Sequence, residues 1–149
     1  MTTHIPDDLG LRDAVVLVSC VKLKLPHAAP ARELYTSVWF RKARTIVETQ
    51  GARWFILSAL YGLVAPETQI APYERTLNQL SVDERRAWAS GVLTDLLPEI
   101  AETTRVVFLA GRRYRDLLVK PLQDRGLEVS VPMEGLGIGQ QLQFLSWSQ

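Results

Sequence analysis

One cysteine in 149 residues, two histidines, and no run of eighteen apolar residues set the first limits. A lone thiol cannot close an internal disulfide, which accords with a reducing compartment. Two distant histidines and one cysteine do not make a zinc ligand set, so no metal is expected. The absence of a long apolar run excludes a helical membrane span, and the opening Met1-Thr2-Thr3-His4-Ile5-Pro6-Asp7-Asp8 lacks the basic and apolar regions of a signal peptide. The expectation is a soluble, cytoplasmic protein with no membrane partner. Net charge is also scarce: 17 basic and 16 acidic residues leave +1, so nucleic acid would have to be held by a local patch rather than by a global field.

What is present is apolar content, 47% of the chain, enough for the core of one ordinary domain. Residues 1–13 read as a polar surface leader and 14–149 as a single α/β domain. Ala14–Val18 is a short apolar run without alternation, the pattern of a strand buried on both faces of a parallel sheet. Trp54–Ala59 and Arg105–Ala110 repeat it, and Leu127–Val131 is a shorter, mixed fourth strand suited to a sheet edge. Between them, Ala31–Gln50 has the periodicity of one amphipathic helix ending before Gly51. Ser81 and Glu84 have the spacing of a capping box at the start of the next helix. Helical spacing resumes through Leu117 and Leu118, is interrupted at Pro121, and stops at Gly126. A last helix carries Leu142, Phe144 and Leu145. This alternation predicts right-handed crossovers and a three-layer α/β/α domain whose four-stranded, mostly parallel sheet has the order 2-1-3-4. The winding then reverses between strands one and three, where ligands bind in open α/β sheets, beside Ser19-Cys20 and Ala110-Gly111.

The residues that could carry chemistry gather at these strand ends. Ser19-Cys20-Val21-Lys22-Leu23-Lys24 offers a hydroxyl, a thiol and two ammonium groups that suit a phosphate or carboxylate. Cys20 is read first as a small packed residue and second as a nucleophile whose thiol the lysines would activate; His27, on a loop, is the nearest base in sequence. Ser58, Tyr61 and Gly62 follow the second strand, in a segment without periodicity. Tyr61 and Tyr73 are candidates to stack on a base, or else simple packing. Glu74 follows Pro72-Tyr73 in a loop expected to cover the site, where shelter by aromatics would suit a general acid or base or a nucleophile. Glu134, after strand four, is a second candidate carboxylate. Gly111-Arg112-Arg113-Tyr114 and Gly135-Leu136-Gly137-Ile138-Gly139 each precede a helix, where free N–H groups favour an anion. Neither is a P-loop or a complete dinucleotide fingerprint, so no cofactor is expected.

The ordered string Ser19-Cys20-x-Lys22-x-Lys24, Ala31–Ser37, Ile56–Pro66, Pro72-Tyr73-Glu74, Leu109-Ala110-Gly111-x-x-Tyr114 and Gly135–Gln141 resembles a family of small bacterial and phage proteins of unassigned function, over roughly residues 14–145. More distantly, Ser-Cys-x-Lys and Leu57–Pro66 resemble the peroxide-stress YaaA proteins and the uracil-DNA-glycosylase-like domain of archaeosine synthase. That resemblance implies a nucleoside, nucleotide or nucleic-acid ligand and N-glycosidic bond hydrolysis or transfer. The acidic motif that activates water in the glycosylases is absent, because Ser19-Cys20-Val21-Lys22 occupies its place, so Glu74 is the carboxylate assigned to catalysis. Lys22, Lys24 and Arg112 would hold phosphate. The alternative is a non-catalytic nucleic-acid-binding protein of a stress or defence pathway, using Arg41, Lys42 and Arg44 with the strand-end lysines. A protein-interaction module resting on the four tryptophans is a third. The oligomeric state stays open.

Overall fold

The computed structural model describes residues 10–147. Residues 1–9 of the polar leader lie outside the described residues; the rest of it forms a 3-10 turn, Leu11–Asp13, with Leu11 wholly buried. The strands are β1 (Ala14–Ser19), β2 (Ala29–Pro30), β3 (Arg53–Ser58), β4 (Gly62–Val64), β5 (Gln69–Ile70), β6 (Arg105–Leu109) and β7 (Glu128–Ser130). The helices are α1 (Ala31–Leu34), α2 (Val38–Thr49), α3 (Val82–Leu96), α4 (Arg112–Asp124) and α5 (Ile138–Trp147). Among the described residues, no helix is long and apolar enough to cross a membrane.

The main sheet has five strands in the order β4-β3-β1-β6-β7, with β3, β1, β6 and β7 parallel. The expectation of four strands is corrected by β4, which turns back antiparallel on β3 with Ser58 opposite Gly62. Gly62 has φ of 75°, a left-handed conformation that glycine adopts without steric cost, and this lets the chain reverse so tightly. β1 lies at the centre, and all six of its residues are buried. Val16 and Val18 face α2 and α5, while Val15 and Leu17 face α3 and α4, so the sheet is covered on both sides.

The single helix expected over Ala31–Gln50 is divided into α1 and α2. Tyr35 is extended (φ −88°, ψ 124°) and forms an isolated antiparallel bridge with Lys24. The chain then re-enters a helix at Ser37, whose Oγ accepts the Phe40 N–H at 3.1 Å. The interruption expected at Pro121 does not occur: α4 runs through it, held to the sheet by the fully buried Leu118 and Leu122.

A second, two-stranded sheet positions the cover of the site. Ala29-Pro30 in β2 pairs antiparallel with Gln69-Ile70 in β5. Ala31 N–H donates to Thr68 O at 2.8 Å and Arg32 N–H to Pro66 O at 2.9 Å. The loop after β1 and the loop after β4 are therefore laced together over the carboxyl end of the main sheet.

Candidate functional site

β1 hands its direction to the residues that follow it. Cys20 N–H donates to Leu57 O at 3.0 Å, extending the pairing with β3 by one residue. Beyond it, Leu25 N–H reaches Leu34 O at 2.8 Å and Thr36 N–H reaches Leu23 O at 3.0 Å. Residues 23–25 are thus pinned alongside 34–36, and the segment that carries the two lysines is held rather than free.

Above this end of the sheet is a cavity of about 950 Å³. One wall is Cys20–Pro26, the opposite wall is Pro72–Thr76 with Asn78 and Gln79, and Tyr114 closes it from α4. Among the described residues its cations are Lys22, Lys24 and Arg75 and its one carboxylate is Glu74, which is exposed rather than sheltered by aromatics as expected. Lys24 Nζ lies 4.4 Å from the centre of the Tyr73 ring and 5.7 Å from that of Tyr35, and donates to Lys22 O at 3.2 Å. Burial pulls the Lys24 pKa below its ordinary value, against the opposing effects of Cys20 and Glu74.

Behind this surface is a chain of hydroxyls. Ser58, fully buried, accepts the backbone N–H of Leu60 at 3.3 Å and of Tyr61 at 3.0 Å. Those two donors occupy its lone pairs, so its own proton is directed to Tyr73 Oη, 2.7 Å away. Tyr73 Oη is in turn 2.6 Å from Tyr35 Oη. On the other side, Cys20 Sγ donates to Tyr114 Oη at 3.3 Å, and the Tyr114 ring meets Trp88 edge-on at 5.9 Å. Trp88 Nε1 donates to Ser58 O at 2.8 Å, which returns the network to β3.

Burial, and then the negative charge that Cys20 carries when ionised, push the pKa values of Tyr35, Tyr73 and Tyr114 well above the ordinary phenol value. The sign follows from the neutral form being the one the fold accommodates. The stability these phenols allow is complete below their unfolded pKa of about 10, declines once pH exceeds it, and is lost as pH rises through the raised folded values. At pH 11 the native protein is expected to absorb less at 295 nm than the urea-unfolded chain, because these three of its four tyrosines stay protonated until unfolding. Equal native and unfolded absorbance would show that the phenols are not held in this way.

Of the residues singled out in the sequence, the cavity brings together Cys20, Lys22, Lys24, Tyr73, Glu74 and Tyr114. Ser58 reaches it only through Tyr73, and Tyr61 stands outside, its ring edge-on to Tyr73 at 5.4 Å. Ser19 is buried beneath, and Gly62 is spent in the β3–β4 turn. Gly111 and Arg112 are not among the lining residues; Arg112 is exposed and lies 3.9 Å from Asp116. Glu134 pairs with Arg115 at 3.3 Å, beside a different and smaller cavity. The Gly137 N–H is taken by Gln140 Oε1 at 3.0 Å, and Gly139 sits in the first turn of α5 beyond it. Lys42 and Arg44 are engaged by Ser146 and Glu48. Among the described residues, no three His, Cys, Asp or Glu side chains come close enough to hold a metal ion.

Sequence reasoning missed Arg75, Asn78 and Gln79 as wall residues and Tyr35 as the hydroxyl behind Tyr73. One signal was available: Thr76-x-x-Gln79 has capping-box spacing, and both of its hydrogen bonds are made. No curated protein and no solved structure matches the chain. The profile of one family matches residues 15–147, a span that takes in the main sheet except Ala14, the first residue of β1, and all of the cavity wall. The chain belongs to that family, the family of unknown function DUF6884.

Proposed function

We propose that the cavity takes a nucleoside, a nucleotide or a base of a nucleic acid, and that the protein hydrolyses or transfers its N-glycosidic bond. The observation that carries this reading is the meeting of Lys22, Lys24, Tyr73 and Glu74 in one cavity at the carboxyl end of the central strand. Lys22 and Lys24 supply charge for phosphate, with Arg75, which lines the cavity, in the part expected of Arg112, which does not. Tyr73 offers a ring face to a base, backed by Tyr61 rather than sandwiched with it. Glu74 serves as acid, base or nucleophile at the sugar carbon. The distant likeness of the Ser-Cys-x-Lys and Leu57–Pro66 segments to YaaA proteins and the archaeosine synthase domain supports the same class of ligand.

Incubation with a panel of nucleosides, nucleotides and short oligonucleotides is expected to release a free base from at least one, detected by reversed-phase chromatography. Glu74→Gln should lower that rate by about 10²- to 10⁴-fold, the range for a positioned proton-transfer group. A broad panel without turnover would overturn the enzymatic reading.

The alternative of non-catalytic nucleic-acid binding draws on the same mouth, and the exposure of Lys22 and Arg75 favours it. It is distinguished by binding that weakens steeply with salt in the absence of any base release.

A further inference from the structure

Lys24 differs from the other three lysines of the chain. Lys42 donates to Ser146 Oγ at 2.6 Å and Lys120 lies 3.4 Å from Asp124, and neither lines the cavity. Lys22 lines it but is exposed. Lys24 lines it, is half-buried, and has no carboxylate within ion-pair distance among the described residues. Its backbone is fixed by the bridge to Tyr35 and by the hydrogen bonds on either side of it. Its amine is fixed by Lys22 O and by the Tyr73 ring. An amine held in this way, facing the cavity and without an ion-pair partner among the described residues, is placed for attack on an electrophile as well as for holding an anion.

We propose that Lys24 captures a carbonyl: its Nζ forms an imine with the open-chain aldehyde of a sugar that has lost its base. The identity of the sugar rests on the glycosidic reading above; the capture itself does not require it. The amine lone pair attacks the aldehyde carbon, a C–N bond forms, and the carbonyl π pair moves to oxygen, which takes up a proton. The nitrogen then gives up its proton, its lone pair forms C=N, and the C–O bond breaks with the hydroxyl leaving as water after a second proton is added. Nothing is oxidised or reduced. Glu74, the one carboxylate of the cavity, is the group available to carry these protons, and Lys22 and Arg75 flank the path of phosphates on either side of the sugar. The lowered pKa of Lys24 acts in the same direction, since only the neutral amine is nucleophilic.

The test uses the full chain and a single-stranded oligonucleotide carrying one abasic site made beforehand, with sodium borohydride to reduce any imine to a stable secondary amine. A denaturant-resistant adduct with 1:1 mass is expected, and peptide mapping should place it on Lys24. Lys24→Arg keeps the cation but cannot form the imine under these conditions, and should reduce the adduct on the order of 10-fold or more, while Lys120→Arg, outside the cavity, should leave it in place. Circular dichroism and thermal melting of Lys24→Arg check that the fold is kept, and mapping of the unsubstituted protein identifies the amine without any variant. No adduct, an adduct mapped to another amine, or one undiminished in Lys24→Arg overturns the proposal. Because the abasic site is made beforehand, trapping without base release removes the glycosidic reading and leaves the capture standing. Base release without an adduct at Lys24 does the reverse.

Discussion

Phe40→Ala is expected to remove about 3 to 5 kcal/mol of folding stability, the range for emptying a fully buried aromatic site. Phe40 has no exposed surface, lies 5.0 Å from the Tyr35 ring and 6.4 Å from the Trp54 ring, and carries α2 against the main sheet. The void would open between a helix and two strands that are themselves constrained, so collapse around it is limited and the cost should fall toward the upper end. The aromatic pairings add roughly 0.5 to 1.5 kcal/mol each beyond area burial. For a chain of this size the melting midpoint should fall by roughly 10 °C or more. Val38→Ala, two residues earlier on the same helix but exposed, should change stability by no more than about 0.5 kcal/mol. Urea and thermal melts of the two variants check the contrast; similar effects at both positions would show that α2 does not pack as described.

Ser58→Ala should cost about 2 to 4 kcal/mol, because it takes the acceptor from two backbone N–H donors and removes one hydrogen bond to Tyr73 at a fully buried serine. The loss should also be coupled to Tyr35. In Tyr35→Phe the Tyr73 hydroxyl keeps Ser58 as a partner, and in Ser58→Ala it keeps Tyr35. Only the double variant leaves it with neither, so the two single losses should sum to less than the double loss, by about 0.5 to 2 kcal/mol. A double-variant cycle by urea denaturation measures this difference directly, and strict additivity would show that the three hydroxyls do not act as one network. Tyr73 is also a cavity wall, so both variants should impair ligand binding more than their distance from the ligand implies.

The four parallel strands were legible because burial on both faces leaves unbroken apolar runs, as in Ala14–Val18, and the connecting helices then constrain the handedness of the crossovers. The strand β4 was not: Gly62-Leu63-Val64 is too short to show a period, and its pairing is set by the turn rather than by its side chains. The break between α1 and α2 was hidden because Tyr35 continues the apolar phase of the helix while its backbone has left it. At the site, Cys20, Lys22 and Lys24 could be found from the rule that ligands gather at strand ends, and Tyr114 from the Gly111–Tyr114 stretch that leaves the end of the Arg105–Ala110 strand. Arg75 and Asn78 are exposed polar residues in a loop, and nothing in their spacing separates them from ordinary surface. The N–H of Gly137 at the start of α5 is capped from within the chain by Gln140, a pairing that glycine spacing does not reveal.

The short β2–β5 ladder, two residues on each side, carries a consequence for how the molecule breathes. It joins stretches separated by about 40 positions in the chain, and beside it lie the main-chain bonds of Ala31 and Arg32, the Tyr35–Tyr73 hydroxyl pair and the Lys24–Tyr73 contact. Elements secured so lightly exchange their amide protons through local opening, while β1, buried along its whole length, exchanges only with global unfolding. The two loops should therefore part as one unit and widen the cavity beside the half-buried Lys24 without disturbing the sheet beneath. Entry of a bulky ligand would then depend on the lifetime of that ladder.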